Sequence, residues 1–534
     1  MTQRYPFIGL VCLFAVAACS ADKPPEEVAA TADTPPAAAE ATDSNEAAER
    51  AAQLITEEFI REIVVELSDD KYEGRGPASA GDVAAREYLA KLMADLGLEP
   101  GAADGSWEQP FDLVGVNTIP PDTWTFAGHG NSVAFEQYEQ FMINANNQQS
   151  RAAADDAEIV FAGYGIQAPE YDWDDYRDLD VTGKIVLLMN NDPDWDPDLF
   201  AGETRLWYGR WDYKYLTAAK NGAVGAIIIH TTPSAGYPFQ VLQTSNSGVQ
   251  FELPVGDEPR NEFKAWMTED AVRELVAMAG MDLDALREAA SSREFAPVPL
   301  GITTTIAMDV EIESVRSANV LGLIPGSDPV LRDEVVIYSA HHDHLGVGPA
   351  NDDGDTIYNG ARDNALGVAQ LIAMARAFQA LPEVPRRSIL ICLVGAEEQG
   401  LLGSKWYAAH PTFPPGKIAA NLNFDGGNIW GATRDLTYVG LGKSSIDAIV
   451  QEIAAGQGRV VKPDQFPDRG YFYRSDQFNF SKIGVPAMYL DEGKDFIGRP
   501  PEWGKEQIEE YFNVHYHQPS DEYDLDWNLD GMLQ

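Results

Sequence analysis

The spacing of apolar residues predicts two amphipathic helices near the start of the folded part of the chain. Between Ile55 and Leu67 apolar residues recur every three or four positions, which places them on one face of a helix. A turn is expected at residues 73–77, and a second amphipathic helix at residues 82–98. Residues 107–151 are rich in aromatic side chains but lack a clear period, and no element is predicted there.

The middle of the chain predicts a separate module of short strands and helices. Buried strands are favoured at three apolar runs, residues 159–161, 183–188 and 225–229. A helix is expected at residues 215–221. This stretch has no clustered histidine or cysteine and no paired acids after a strand, so we interpret it as non-catalytic, ending near residue 300.

The last third of the chain predicts a largely parallel sheet. Strands are expected at four apolar runs, residues 335–340, 388–394, 418–424 and 486–490. A helix predicted at residues 367–380 lies between the first two strands, and a strand–helix–strand crossover joins parallel strands. We therefore expect an α/β fold, with a largely parallel mixed sheet flanked by helices.

The beginning of the chain predicts export. Arg4 precedes a short apolar stretch at residues 7–18, which has the length of a signal-peptide core and is too short for a membrane-spanning helix. Residues 16–19 resemble a bacterial lipobox ending in Cys19, and residues 20–45 have the composition of a disordered acidic tether. We predict a signal peptide over residues 1–19 and a lipoprotein anchored in the membrane through Cys19. It would face the periplasm, most simply in the outer membrane; ordinary cleavage to a secreted protein is the alternative.

Composition narrows the classes of partner. The 534 residues include 84 acidic and 38 basic side chains, for a formal net charge of −46. Such a charge excludes binding to nucleic acid through a basic surface, because phosphate would be repelled. The hydrophobic fraction of 45% supports two or three domains with sizeable cores. Cys392 lies in an apolar run and is expected to be a buried small side chain.

Residues of the types that bind metals follow the predicted strands of the last third. They are His341 and Asp343, Asp363, Glu397 and Glu398, and Asp425. Because the carboxyl ends of parallel strands meet at one edge of a sheet, we expect these side chains to lie together. Asp363 stands just before a predicted helix, so helix capping is its alternative role, which Asn364 can equally perform.

Histidines form two clusters, residues 341–344 and 515–517, whereas the other three histidines are isolated. A metal pair that activates water needs neutral imidazoles, charge-balancing carboxylates and a ligand that reaches both ions. It also needs a carboxylate that accepts the proton of the attacking water. The clusters and the acids between them therefore predict a two-metal site. The His-x-His pair at residues 342 and 344 also occurs in amidohydrolase barrels, but the further ligands of such a barrel are missing from the sequence.

Five motifs carry a resemblance to a known family. AHHDHLG, GARDNALGVA, GAEEQGLLGS, NFDGG and YHQPSDEYD, in this order, resemble the di-zinc aminopeptidase family, whose distant relatives include the transferrin receptor and glutamate carboxypeptidase II. Residues 157–299 resemble the protease-associated domain inserted in many members, and residues 67–100 resemble the N-terminal part of such enzymes. The resemblance implies a main domain in two parts, residues 46–150 and 301–534, around an inserted domain at residues 151–300. It also implies that the final helix, starting near residue 530, is truncated.

The resemblance implies a role for each motif residue and two zinc ions per chain. One ion would be bound by His341, Asp363 and Asp425, and the other by Asp363, Glu398 and His517. Glu397 would be the general base, and Asp343 would hydrogen-bond to the ring nitrogen of His341 that does not bind the ion. Tyr516 would stabilise the oxyanion, and Asp476 would line the active site. A cis peptide bond between Asp363 and Asn364 is also implied. His515 is the alternative to His517 as a ligand.

The expected activity is that of a zinc-dependent exopeptidase, specifically an aminopeptidase acting on peptides. A carboxypeptidase is one alternative, with Arg474 or Arg499 binding the substrate carboxylate. The others are a glutaminyl-cyclase-like acyltransferase, which would use one zinc ion, and a non-catalytic binding protein like the transferrin receptor. The sequence makes no prediction of oligomeric state.

Overall fold

A computed structural model describes residues 46–534. The predicted signal peptide, the lipid anchor at Cys19 and the acidic tether lie outside the described residues and stay predictions. No helix in the described part is long and apolar enough to cross a membrane. Its helices are α1 (Glu57–Leu67), α2 (Ala80–Asp95), α3 (Trp211–Lys220), α4 (Thr232–Ala235), α5 (Phe239–Ser245), α6 (Glu269–Met278), α7 (Leu283–Ala290), α8 (Leu366–Gln379), α9 (Leu402–Ala409), α10 (Ile446–Gly456), α11 (Gln477–Lys482), α12 (Trp503–Val514) and α13 (Asp530–Leu533).

The strands of the described part occupy many short segments and one long one. They are β1 (Glu99–Pro100), β2 (Glu108–Ile119), β3 (Thr123–Gly128), β4 (Asn131–Glu136), β5 (Phe141–Ala145), β6 (Arg151–Phe161), β7 (Gln167–Ala168), β8 (Trp173–Asp174), β9 (Ile185–Met189), β10 (Gly225–His230), β11 (Val249–Glu252), β12 (Phe263–Thr268), β13 (Val298–Ile324), β14 (Val335–His341), β15 (Gly346–Val347), β16 (Ile357–Tyr358), β17 (Ser388–Val394), β18 (Ile418–Asn423), β19 (Asp435–Val439), β20 (Val460–Pro463) and β21 (Ala487–Glu492).

The C-terminal strands form the predicted mixed sheet. β14 lies between β17 and β18 and is parallel to both, and β18 is parallel to β21. The flanking pairs are antiparallel, β17 with the end of β13 and β21 with β19. The prediction of a largely parallel mixed sheet is confirmed, and the four predicted strands agree with β14, β17, β18 and β21 to within two residues at each end.

The long strand β13 joins two sets of strands. Its first part pairs with β6, its middle with β2, and its end with β17. Apolar side chains accordingly pack into separate cores, one contributed mainly by residues 116–310 and another by helices α1, α2 and α8 against β13 and β17. We call residues 123–310 the insert lobe and residues 57–119 and 311–534 the site lobe; they belong to one compact unit.

The aromatic stretch that the sequence left unassigned is a set of strands, β2 to β5. Trp124 and Phe126 in β3 point into the insert-lobe core and alternate with exposed residues. Every residue of β5 is buried, so that strand shows no alternation at all. The insert-lobe core thus includes residues that precede position 151, where the sequence predicts the module to begin.

A buried arginine ties the N-terminal helices to the loops that follow the central strands. Arg75 is fully buried and donates from Nε to the carbonyl oxygen of His342 at 2.8 Å. Its Nη1 donates to the carbonyl oxygens of Leu67 and Asn359 at 2.6 and 2.7 Å, and its Nη2 to that of Gly360 at 3.0 Å. These bonds hold together the segments after β14 and before α8.

We predict that Arg75→Met lowers the free energy of unfolding by about 3 kcal/mol or more, because buried carbonyl groups lose their donors. Chemical denaturation of the purified protein measures the change. Lys91→Ala is the control, since Lys91 and its partner Asp95 are both exposed, and a change within about 0.5 kcal/mol is expected. An Arg75→Met protein as stable as the control would contradict this role.

Candidate metal centre

The first candidate ligand lies at the carboxyl end of the central strand. His341 is the last residue of β14 and is buried. Its Nδ1 lies 3.2 Å from the carbonyl oxygen of Asp343. Its Nε2 points toward two carboxylates, 3.2 Å from Asp363 Oδ1 and 3.2 Å from Asp425 Oδ1. Asp425 lies two residues after the end of β18, so neighbouring parallel strands deliver this set to one edge of the sheet.

In the turn before α8, the side chain of Asp363 has no local role and can contact the candidate ligands. Its peptide bond to Asn364 is cis, as the resemblance implies. Asn364 Oδ1 accepts the backbone N–H of Gly367 at 3.0 Å, so Asn364 takes the capping role. The backbone N–H of Asp363 donates to Asp521 Oδ2 at 3.0 Å. The carboxylate of Asp363 is therefore left to contact histidines on both sides.

The two glutamates after β17 stand on a turn that Asp343 holds. Glu398 accepts a bond from His344 Nδ1 on Oε1 at 2.7 Å, and its Oε2 lies 3.0 Å from His517 Nε2. The backbone of both glutamates is held by Asp343. Its carboxylate accepts hydrogen bonds from the backbone N–H of Glu397 at 3.0 Å and from that of Glu398 at 3.4 Å. The carboxylate of Asp343 lies 3.9 Å from His341 Nδ1. Asp343 therefore orients His341 through its carbonyl oxygen, and its carboxylate orients the glutamate turn.

The C-terminal histidines separate clearly. His517 lies in the loop after α12 with its Nε2 3.6 Å from Asp363 Oδ2. His515 instead contacts Ser520 through Nδ1 at 3.0 Å, away from the acids. The structure thus brings His517, and not His515, to the centre.

His344 is a member of the centre that the sequence interpretation left out. It is fully buried and forms, with Asp363 and Glu398, one of the groups whose ligand atoms all lie within 4.8 Å of one another. The signal was its place in the His-x-His pair. His342, the other member of that pair, turns away and contacts Asp82 at 3.2 Å.

The donor set fits a pair of divalent cations. Within residues 46–534, three groups match a metal site: His341 with Asp363 and Asp425, His344 with Asp363 and Glu398, and His341 with Glu397 and Glu398. Asp363 is common to the first two. The Nε2 atom of His344 is buried without a hydrogen-bond partner among the described residues, as expected for an atom that faces an ion, and that of His517 is buried against the carboxylates of Glu398 and Asp363. Imidazole and carboxylate donors of this kind suit zinc.

The buried charges differ in their proton affinity. Burial raises the pKa of Glu397 well above its usual range, and the nearby carboxylates of Glu398 and Asp425 add to the rise. Burial has the same tendency at Glu398, but His517 and His344 hold the pKa of Glu398 at about 2. For His517, burial opposes the charge while Glu398 and Asp363 raise the pKa to about 9. The centre thus contains an ionised ligand pair beside one strongly basic carboxylate, Glu397.

Tyr516 lies between the centre and two cavities. Its ring stacks on that of His517 at 3.9 Å, and its hydroxyl accepts a hydrogen bond from Arg474 Nη2 at 3.4 Å. A cavity of about 160 Å³ is lined by Glu397 and Tyr516 on one side and by insert-lobe residues, among them Tyr237, on the other. A cavity of about 80 Å³ shares Glu397, Arg474 and Tyr516 and extends to Asp425.

Asp476 belongs to the same neighbourhood. It is fully buried at the start of α11, and burial raises its pKa to about 7. Its neighbour Ser475 donates a short hydrogen bond to Asp425 Oδ2, which orients that carboxylate. Gln477, which follows Asp476, accepts a hydrogen bond from Asn423 at 3.1 Å within the buried core of the sheet.

Comparison with known families assigns two regions of the chain. Residues 319–534 match the family model of Peptidase family M28, and residues 147–261 match that of the PA domain. The match to the PA domain thus precedes the match to the peptidase family in the chain.

Individual relatives are distant. Over 208 residues the chain is 27% identical to leupeptin-inactivating enzyme 1 of Streptomyces exfoliatus, which covers 38% of this chain and 43% of that protein. It is 34% identical over 110 residues to aminopeptidase NAALADL1 of Mus musculus, covering 20% of this chain and 13% of the relative. The match thus spans less than half of the length of these curated relatives. Among solved structures, the aminopeptidase from Aneurinibacillus sp. strain AM-1 shares the fold, with a TM-score of 0.51, 19% identity, and coverage of 89% and 90% of the two chains.

We predict that the metal-free protein takes up two zinc ions and gains thermal stability, because ligands that bind only the folded state stabilise it. Asp363→Ala should lose both ions, since its carboxylate is shared by both groups. Elemental analysis after dialysis and melting temperatures with and without zinc measure the effect. Asp353→Ala, at an exposed loop position, is the control and should bind as the unaltered protein does. Full retention of zinc by Asp363→Ala would contradict the shared role.

Proposed function

We propose that this chain, which contains a Peptidase family M28 domain and a PA domain, is a zinc-dependent exopeptidase that acts as an aminopeptidase on peptides. One observation carries the proposal. A buried carboxylate, Asp363, is shared by two imidazole–carboxylate groups, and a second buried carboxylate, Glu397, belongs to neither of them but lies within reach of His341 and Glu398. Metal-assisted hydrolysis requires such a division between carboxylates that bind the ions and one that accepts the proton of water.

The ligand residues support zinc as the cofactor. His341, Asp363 and Asp425 would hold one ion, and Asp363, Glu398 and His517 the other, with His344 orienting Glu398. When bound, zinc supplies Lewis-acid polarisation of a carbonyl and lowers the pKa of water.

Glu397 is the proposed general base. Its pKa is raised by burial and by neighbouring carboxylates, which makes the ionised form a strong proton acceptor, and bound cations would keep it ionised near neutral pH. It lines both cavities, so it can take a proton from water and return it to the leaving amine. Its backbone is fixed by Asp343 at 3.0 Å, which limits how far the carboxylate can drift.

Tyr516 is the proposed hydroxyl donor to the developing oxyanion. Burial raises the pKa of the Tyr516 phenol well above its usual range, so the hydroxyl keeps its proton. The cation of Arg474, whose Nη2 lies 3.4 Å from the phenol oxygen, supports the hydroxyl dipole from behind. The two cavities meet at Tyr516 and Glu397, which suits residues on either side of a scissile bond.

Several observations favour a free N-terminus as the substrate feature. The smaller cavity is lined by Asp491, a carboxylate outside the proposed ligand set that would attract an ammonium group. The small volumes of about 80 and 160 Å³ favour terminal residues over the middle of an extended chain. Relatives that carry the name aminopeptidase, such as aminopeptidase YwaD of Bacillus subtilis at 25% identity, support the same choice.

We predict that Glu397→Gln lowers kcat on aminoacyl anilides by at least about 10³-fold while the zinc content stays unchanged, because only the proton acceptor is removed. A chelator should abolish the activity of the unaltered protein, and added zinc should restore it. Glu383→Gln, at an exposed position, serves as the matched control and should retain full activity. Turnover that resists the chelator, or an active Glu397→Gln protein, would refute the proposed mechanism.

A carboxypeptidase is the second candidate, because two buried guanidinium groups face the larger cavity. Arg474 Nη1 and Arg210 Nε have no hydrogen-bond partner within the described residues, and such donors suit a carboxylate. The other arginine considered from the sequence, Arg499, is exposed and lies over the ring of Trp503 at 4.5 Å, so it does not serve this purpose.

Matched peptides distinguish the two activities. We expect cleavage of peptides with a free N-terminus and an amidated C-terminus, and no cleavage when the N-terminus is acetylated and the C-terminus is free. Mass spectrometry of the products identifies which end is released. Activity restricted to free C-termini, lost in Arg474→Gln, would favour the carboxypeptidase instead.

A further inference from the structure

The two candidate ligand histidines are held in place by different lobes. His341 Nδ1 lies 3.2 Å from the carbonyl oxygen of Asp343, within the site lobe. His517 Nδ1 lies 2.8 Å from the Oγ atom of Ser245. Ser245 is the last residue of α5, in the insert lobe. A histidine that binds an ion through Nε2 carries its proton on Nδ1, and the acceptor at Nδ1 fixes the tautomer and the orientation of the ring.

We propose that Ser245 is the positioning residue for His517, so that the insert lobe completes the second metal position. The proposal rests on the proposed function, because it requires His517 to bind an ion. It assigns the hydroxyl of Ser245 a role as acceptor of the Nδ1 proton, so that Nε2 is the nitrogen that would give up its proton and bind an ion held also by Glu398 and Asp363.

The ring contacts of His517 do not select this orientation. Its ring stacks on Tyr516 with an angle of 29° between the planes, and stacking does not distinguish the nitrogen edge of a ring from its carbon edge. His344 meets the ring in an edge arrangement at 5.8 Å, which likewise leaves a ring flip possible. The two edges are distinguished by the carboxylates of Glu398 and Asp363 at Nε2 and by the Ser245 hydroxyl at Nδ1. The bond to Ser245 is thus the directional contact that the insert lobe contributes.

Neighbouring contacts hold the insert-lobe segment against both catalytic loops. Gln240 Nε2 donates to Gln518 Oε1 at 3.2 Å, directly beside His517. The backbone N–H of Phe251 donates to Gln399 Oε1 at 2.8 Å, directly beside Glu398. Residues 240–251 thus contact the loops of two proposed ligands of the same ion. These contacts fix the position of Ser245 beside His517.

Zinc binding to the metal-free full protein tests the proposal without relying on catalysis. Calorimetric titration of the unaltered protein should show two tight ions. We expect Ser245→Ala to bind one ion as before and the other about 10- to 100-fold more weakly, the usual effect of losing the partner of a ligand histidine. Ser245→Thr keeps the hydroxyl and should restore tight binding. Ser247→Ala is the control, because the Ser247 hydroxyl bonds only within the insert lobe, to the carbonyl oxygen of Gln243.

Activity adds a second readout. The Ser245→Ala protein should lose activity at limiting zinc and regain it as zinc is raised, whereas the control follows the unaltered protein at every concentration. Two ions bound by Ser245→Ala as tightly as by the unaltered protein, or a Ser245→Thr protein as weak as Ser245→Ala, would overturn the role of the hydroxyl. If the unaltered protein bound no zinc, the proposed function itself would fail, and the two failures are thereby distinguished.

Discussion

The sharing of one carboxylate by two histidine groups is the constraint on which the rest of the structure depends. Asp363 Oδ1 lies 3.2 Å from His341, and Oδ2 lies 3.6 Å from His517, more than 150 positions later in the sequence. A carboxylate can be held between two partners only if other contacts fix the turn that carries it. Asp521 accepts the backbone N–H of Asp363, and Asn364 takes the cap of the following helix. The side chain then has no competing local role.

Charge balance follows from the same constraint. Several carboxylates lie buried within a few ångströms, and isolated buried charges are costly unless they are paired or bind metals. Burial raises the pKa of Asp343 to about 8, so this acid resists ionisation until cations are near. Arg75 lies behind the cluster, where its positive charge faces Asp343 and its donors hold the surrounding loops. The fold thus keeps the acids together without an ion, so that bound cations would relieve the repulsion between them.

The sequence predicts the site more completely than the surroundings of the site. His341, Glu397 and Asp425 follow strands whose apolar runs are unmistakable, and parallel strands deliver their ends to one edge of the sheet. Strands β3 to β5 escaped because their aromatic content and short length gave no clear period, and β5 is buried on both faces. His344 and the double role of Asp343 depend on which way a side chain points after the strand ends, which periodicity does not encode.

Contacts across the lobes are the least predictable part and the most consequential for chemistry. Ser245 stands in a segment whose sequence, PFQVLQTSNSG, shows no sign of a metal centre. Arg474 also contacts both lobes. Its guanidinium lies 5.3 Å from the ring of Tyr237 in the insert lobe, and its Nη2 donates a hydrogen bond to the Tyr516 hydroxyl in the site lobe. Both the orientation of His517 and the support of the Tyr516 hydroxyl therefore depend on insert-lobe residues. A lobe without a base or a proposed ligand of its own can still set the geometry of catalysis, because it contacts the residues that do the chemistry.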